Sequence, residues 1–180
     1  MNKIGDMIYT IPLIKTLKNE FPEALITVLA EDTNAEIIKN EPYIDRVIVY
    51  KRDSRKYRNR FINIIKTLGG KDFDLAIGVK GGFSSFLAAA SLLSGAQYKV
   101  GYVSRKRRFM NLFYNLPVDP IDFSSLHQVD ACLNLLSAIG VTKEVKDISI
   151  SIPSRFKAEA STFLKSKGLN PKERLVIFNI

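Results

Sequence analysis

The chain has 180 residues, 46% of them hydrophobic and 25% charged, which is room for one domain, or one domain plus a fragment, with enough apolar surface to exclude a disordered or low-complexity chain. A single Cys and a single His exclude an internal disulfide, a Cys-rich zinc site and a multi-histidine metal centre, and point to a reducing compartment. The formal net charge is +9, concentrated in residues 41–120 as two clusters (Lys51, Arg52, Arg55, Lys56, Arg58, Arg60, then Arg105, Lys106, Arg107, Arg108). Such a field attracts anions, whether nucleic acid, acidic lipid headgroups or a phosphorylated substrate.

In chain order, Gly5-Asp6 reads as the turn after a strand of which a few residues at most precede it. Ile11 to Glu20 has a helical apolar face (Ile11, Leu13, Ile14, Leu17) that Phe21-Pro22 ends. Leu25 to Ala30 is a short β-branched run, Thr33 to Lys39 a short helix, and Val47 to Tyr50 a second strand. Tyr57 to Leu68 is helical, stopped by Gly69-Gly70. Strands follow at Leu75 to Val79 and Lys99 to Val103, separated by Phe83 to Leu93, a helix apolar almost all round and expected to be deeply packed. Leu126 to Ile139 is the cleanest helix: Ser125 and Gln128 form a capping box, Val129, Cys132, Leu133, Leu136 and Ile139 a buried stripe, and Gly140 lies past its end. Pro153 marks a linker, Arg155 to Lys167 a polar helix, and Leu175 to Ile180 a new buried strand.

This alternation predicts an α/β fold, a Rossmann-like parallel sheet with helices on both faces. The expected organisation is a domain over 1–152, then a linker helix and the first strand of a second domain over 153–180. No apolar run reaches the roughly 18 residues of a spanning helix, and Asp6 interrupts any signal-peptide core, so a cytoplasmic chain is expected.

Three motifs carry chemistry. Asp6 follows Gly5 near the carboxyl end of the first strand, at the first turn of the next helix, where open α/β sheets bind ligands; spacing alone leaves it as either a helix cap or a site carboxylate. Lys80-Gly81-Gly82-Phe83-Ser84-Ser85 follows a strand and opens a helix, which suits an anion or a sugar or, more plainly, a capped turn. It lacks the ending of a P-loop. His127 stands three residues before Asp130, on one helix face, as a functional or a surface residue. Cys132, on the apolar stripe, reads as an inert core thiol.

Taken as a set, these segments resemble the heptosyltransferases, glycosyltransferase family 9, which build the inner core of bacterial lipopolysaccharide. IGDMIYTIPLIKTLKNEFPEALITVLAE is similar to the family's amino-terminal signature, Asn40-Glu41-Pro42-Tyr43-Ile44-Asp45-Arg46-Val47 to its "NP-x-I-D" segment, DLAIGVKGGFSS to its fourth strand and loop, and LHQVDACLNLLSAIGV to its His-x-x-Asp helix. The resemblance implies the N-terminal, acceptor-binding domain of a two-domain GT-B enzyme. It also implies inverting transfer of heptose from an ADP-heptose donor to an anionic lipopolysaccharide precursor, with Asp6 as general base. On this reading Lys3 and Gly5 shape the turn of Asp6, Lys80, Gly81, Ser84 and His127 line the acceptor cleft, and Arg105 and Arg107 meet acceptor phosphate or the inner face of the membrane. The nucleotide sugar is substrate, no metal or other cofactor is implied, and the chain alone would not complete a turnover. Two rival readings are a non-catalytic basic module binding nucleic acid through residues 51–60 and 105–108, which no RNP, KH or zinc-finger pattern supports, and a small nucleotide-binding enzyme using the 80–85 loop.

Overall fold

The computed structural model describes residues 4–50, 68, 73–106, 108–121 and 126–170. It divides into two compact units, Met1–Ile150 and Ser151–Ile180. Apart from Leu68, the expected helix over 57–68 lies outside the described residues, as do the Gly69-Gly70 stop, the 51–60 basic cluster and the strand at 175–180.

The first unit opens with a short helix α1 (Ile4–Ile8) and, after a two-residue turn, α2 (Ile11–Glu20). Gly5 therefore sits inside the helix, not in the turn before it, and Asp6 lies in its first turn. The Tyr9 N–H donates to the Gly5 carbonyl at 3.0 Å, and Thr10 Oγ1 donates to the Met7 carbonyl at 2.6 Å. Pro12 occupies the first turn of α2, where its missing N–H costs nothing. Strand β1 (Thr27–Glu31), helix α3 (Asp32–Ile38) and strand β2 (Arg46–Tyr50) form a βαβ unit, with Thr27 opposite Arg46 and Glu31 opposite Tyr50 in parallel register.

A second parallel sheet is built from β3 (Leu75–Gly78), β4 (Tyr98–Tyr102) and β5 (Leu116–Val118). Helix α4 (Ser85–Leu93) connects β3 to β4, and a single turn, α5 (Arg108–Asn111), precedes β5. Among the described residues the strands form two parallel sheets, ordered β1-β2 and β3-β4-β5. Helix α4 is also less deeply packed than its composition predicts: Ala88, Ala90 and Ser91 are buried while Leu92 is exposed. It covers one face of β3 and β4 and leaves its outer side to water.

Helix α6 (Gln128–Leu133) continues as a 3-10 stretch over Asn134–Ile139. Gly140 ends it at φ 77°, a left-handed conformation that costs a residue without a side chain little. Val129, Cys132, Leu133 and Leu136 are buried as the stripe predicts, against Val100 and Tyr102 of β4 and Leu13 and Ile14 of α2. The Tyr102 hydroxyl donates to the Ala131 carbonyl at 2.7 Å and accepts from Asn134 Nδ2 at 3.2 Å, which pins the helix to the sheet. Beyond Gly140 an extended segment returns over α2. Val145 N–H donates to Thr16 Oγ1 at 2.9 Å, and the buried Lys15 Nζ reaches Asp147 Oδ2 at 2.6 Å and the Ser149 carbonyl at 2.9 Å.

The second unit contains α7 (Ser154–Ser166), polar except for Phe156, Phe163 and Leu164. Phe156 and Phe163 are exposed within it.

Candidate functional site

The parallel strands deliver their following loops to one end of the sheets. At that end Asp6, Lys80, Gly81 and Gln128 line a cleft of about 170 Å³. Each comes from a different local rule. Asp6 lies in the first turn of α1, where a carboxylate is favoured by the helix dipole. Lys80 and Gly81 follow β3, and Lys80 is exposed. Gln128 is the first residue of α6. A Cβ on Gly81 would collide with the Gln128 amide, so the glycine is what lets that side chain lie along the loop.

Among the described residues, Asp6 has no hydrogen-bond or ion-pair partner, and Lys80 has no ion pair. The cleft thus offers a carboxylate able to accept a proton, an ammonium able to hold an anion, and an amide able to donate and accept. Asp6 also lies within electrostatic reach of α6. Burial pushes the Cys132 thiol up to about 12, and the Asp6 charge adds in the same direction. Cys132 is an inert core thiol, as its place on the stripe implies.

The other site residues expected from sequence fall around this centre in different ways. Gly5 is exposed, with open space where a Cβ would stand, so no close approach within the chain requires it. Ser84 caps α4, its hydroxyl accepting the Leu87 N–H at 3.4 Å; it does not line the cleft. His127 is the N-cap of α6, in extended conformation, with Nδ1 accepting the Val129 N–H at 3.2 Å. This leaves its proton on Nε2 when the ring is neutral. It meets the Tyr9 ring edge-on at 5.6 Å.

The expected pairing of His127 with Asp130 on one helix face is not formed. His127 stands before the helix, and Asp130 pairs with Lys146 at 2.7 Å. The cap role assigned to Ser125 and Gln128 is played by His127, with Ser125 outside the described residues. Arg105 is exposed and does not line the cleft, while Lys3 and Arg107 lie outside the described residues. Gln128 was missed as a site residue. Its only sequence signal is adjacency to His127, and its approach to Lys80 and Gly81 depends on tertiary packing.

No family model matches the chain. It is similar to lipopolysaccharide heptosyltransferase 3 of Escherichia coli, with 26% identity over 152 residues, covering 83% of this chain and 44% of that protein. The structure superposes on the glycosyl transferase family 9 protein of Veillonella parvula with a TM-score of 0.73 and 21% identity, over 96% of this chain and 49% of that one.

The fold is that of glycosyl transferase family 9.

A third likeness points the same way. Escherichia coli ADP-heptose lipopolysaccharide heptosyltransferase II gives a TM-score of 0.62 at 18% identity, over 94% of this chain and 49% of that one. The Rossmann-like, GT-B-type architecture expected from sequence is therefore present, as two parallel sheets with helices on both faces. The chain spans about half the length of the relatives it matches.

Proposed function

We propose that this chain is the acceptor-holding half of a heptosyltransferase-type enzyme that uses Asp6 as general base. The observation that carries the reading is the convergence of Asp6, Lys80 and Gln128 on one cleft at the carboxyl end of the parallel strands. The likeness to proteins named lipopolysaccharide heptosyltransferases supports the substrate class.

A sugar hydroxyl is a poor nucleophile until its proton is accepted. In the proposed step Asp6 takes that proton, the hydroxyl oxygen attacks the anomeric carbon of an ADP-heptose donor, and the bond to the diphosphate breaks. ADP leaves with the electron pair and the anomeric configuration inverts. Lys80 holds an acidic group of the acceptor, Gln128 orients a hydroxyl, and the donor is held by a second domain. Peripheral membrane contact on the cytoplasmic face fits Phe109 and Leu112, which are 73% and 77% exposed beside the exposed Arg105, Lys106 and Arg108. Apolar anchors ringed by basic side chains suit an anionic lipid surface.

The test is transfer by this chain joined to the remaining half of the Escherichia coli relative. Asp6→Asn should lower kcat by about a hundredfold or more, the scale of a lost general base, with the melting temperature unchanged. Lys80→Ala should raise KM for a phosphorylated inner-core acceptor and leave a dephosphorylated one unaffected. Transfer by Asp6→Asn near the parent rate refutes the base assignment.

A further inference from the structure

His127 joins two elements that build the cleft. It stands directly before Gln128, which lines the cleft, and its exposed ring meets Tyr9, three residues after Asp6, edge-on at 5.6 Å. The His127 backbone is extended and its carbonyl accepts the Ala131 N–H at 3.1 Å, while Nδ1 accepts the Val129 N–H at 3.2 Å. That last bond satisfies one of the donors that every helix start leaves without a partner inside the helix. An imidazole accepts it only when neutral. The imidazolium carries a proton on both nitrogens and has nothing left to accept with, and it sets a positive charge at the positive end of the helix.

The consequence falls on Gln128. Among the described residues its amide makes no hydrogen bond, and it lies against the Gly81 backbone, so its place is set by the backbone that carries it. Val129, Cys132 and Leu133 are buried in the core and hold the rest of α6, which leaves Gln128 as the one helical residue between the cap and that core. We propose that His127 is a proton-sensitive positioning residue: the neutral ring caps α6 and holds the Gln128 amide against Gly81, and the protonated ring releases the cap and lets the amide leave the cleft. The contact is present above the titration midpoint of the ring and lost as pH falls through it. Histidine changes charge near neutral pH, so the cleft has a proton response that does not use Asp6. The switch concerns the shape of the cleft and stands apart from the sugar-transfer reading.

The charged and titratable groups around the ring leave it to solvent. Tyr9 comes from the turn between α1 and α2, and Asp6 and Lys80 from the adjoining cleft. Asp130, in the first turn of α6, is ion-paired with Lys146 at 2.7 Å. Of the charged residues of α2, which packs on α6, Lys15 is tied to Asp147 and Lys18 to Asp45, and Glu20 is exposed at the other end of that helix. From β4 comes Tyr102, buried and bonded to Ala131, and Asp119 past β5 is exposed.

The test is nuclear magnetic resonance on the 180-residue chain, whose one His and two Gln keep the ring and side-chain amide signals separate. The ring is titrated through its carbon-bound protons, with Gln97 as internal control. At each pH two quantities are measured: the Overhauser contact between the Gln128 side-chain amide and the Gly81 α protons, and exchange of the Val129 amide, corrected for the intrinsic pH dependence of exchange. Below the ring's midpoint the contact should fade by about half or more and the Val129 amide should exchange about tenfold faster. His127→Asn supplies a side-chain oxygen that caps at any pH, so contact and protection should stay flat over the same range. A contact that persists through the ring's titration overturns the proposal, whatever the exchange does. So does the same pH step in His127→Asn, because another group then drives it. Neither measurement needs transfer activity, so failure of this switch and failure of Asp6 as a base are read separately.

Discussion

Tyr102→Phe removes one oxygen and leaves the packing intact, which makes it a clean probe of how α6 is held. The ring is 1% exposed, so no cavity opens and the apolar contribution is unchanged. What is lost is the 2.7 Å bond to the Ala131 carbonyl and the 3.2 Å bond from Asn134. At about 1 kcal/mol net for each hydrogen bond, the cost should be about 2 kcal/mol. For a chain of this size that lowers the melting temperature by about 4–8 °C. Urea unfolding followed by far-ultraviolet circular dichroism reads it directly: the midpoint should fall with the slope unchanged. Asn134→Ala should cost less in the Tyr102→Phe background than in the parent, since the two share a bond. A loss below about 0.5 kcal/mol, with additive single variants, would refute the view that this hydroxyl fastens α6 to β4.

Cys132 is fully buried and its thiol is raised to about 12, so at pH 8 only about one molecule in ten thousand carries the thiolate; an aromatic disulfide reagent should react only as the chain unfolds, and reaction at the rate of a small-molecule thiol would contradict the packing. Asp147 is held well below the usual carboxylate range, first by Lys15, then by the hydroxyl and N–H of Ser149. Its folded value lies below its unfolded one, so the stabilisation is present above about pH 4 and lost as pH falls through the folded value. Asp147→Asn should therefore melt below the parent at pH 7 and converge with it in strong acid; a gap that widened on acidification would reverse the sign of the argument.

The helix over 11–20 and the stripe of α6 were legible because each is periodic and bounded by a local stop, Phe21-Pro22 and Gly140; the strands at 47–50 and 75–79 were legible as short apolar runs. Strand β5 was not. Leu116-Pro117-Val118 is three residues with a proline in the middle, a pattern that argues against a strand unless it lies at a sheet edge, where this one lies. Asp6 lies in the first turn of a helix, as its place after the turn implies, whereas Gly5 is inside that helix and not in the turn before it, because Met7 buries itself against Ala30 and Ile38 and draws the segment into a helical turn. His127 reads in sequence as a functional or a surface residue; its Nδ1 accepts the Val129 N–H and caps a helix that begins at Gln128, two residues after the expected Leu126 start. At the candidate site, Asp6, Lys80 and Gly81 were readable singly. Their convergence was not, because it depends on how α1, the loop after β3 and α6 meet, and on Gln128, whose position is set by Gly81.

That last dependence has an evolutionary side. Because the Gln128 amide occupies the space of a Cβ on residue 81, a glycine-to-alanine change there, one base in the codon, would force the amide out of place while keeping every charge. The sheet, the core and Asp6 would be unaltered. A lineage could thus retune or silence this cleft through a single methyl group, and a comparison that tracked only the acidic and basic side chains would record no difference.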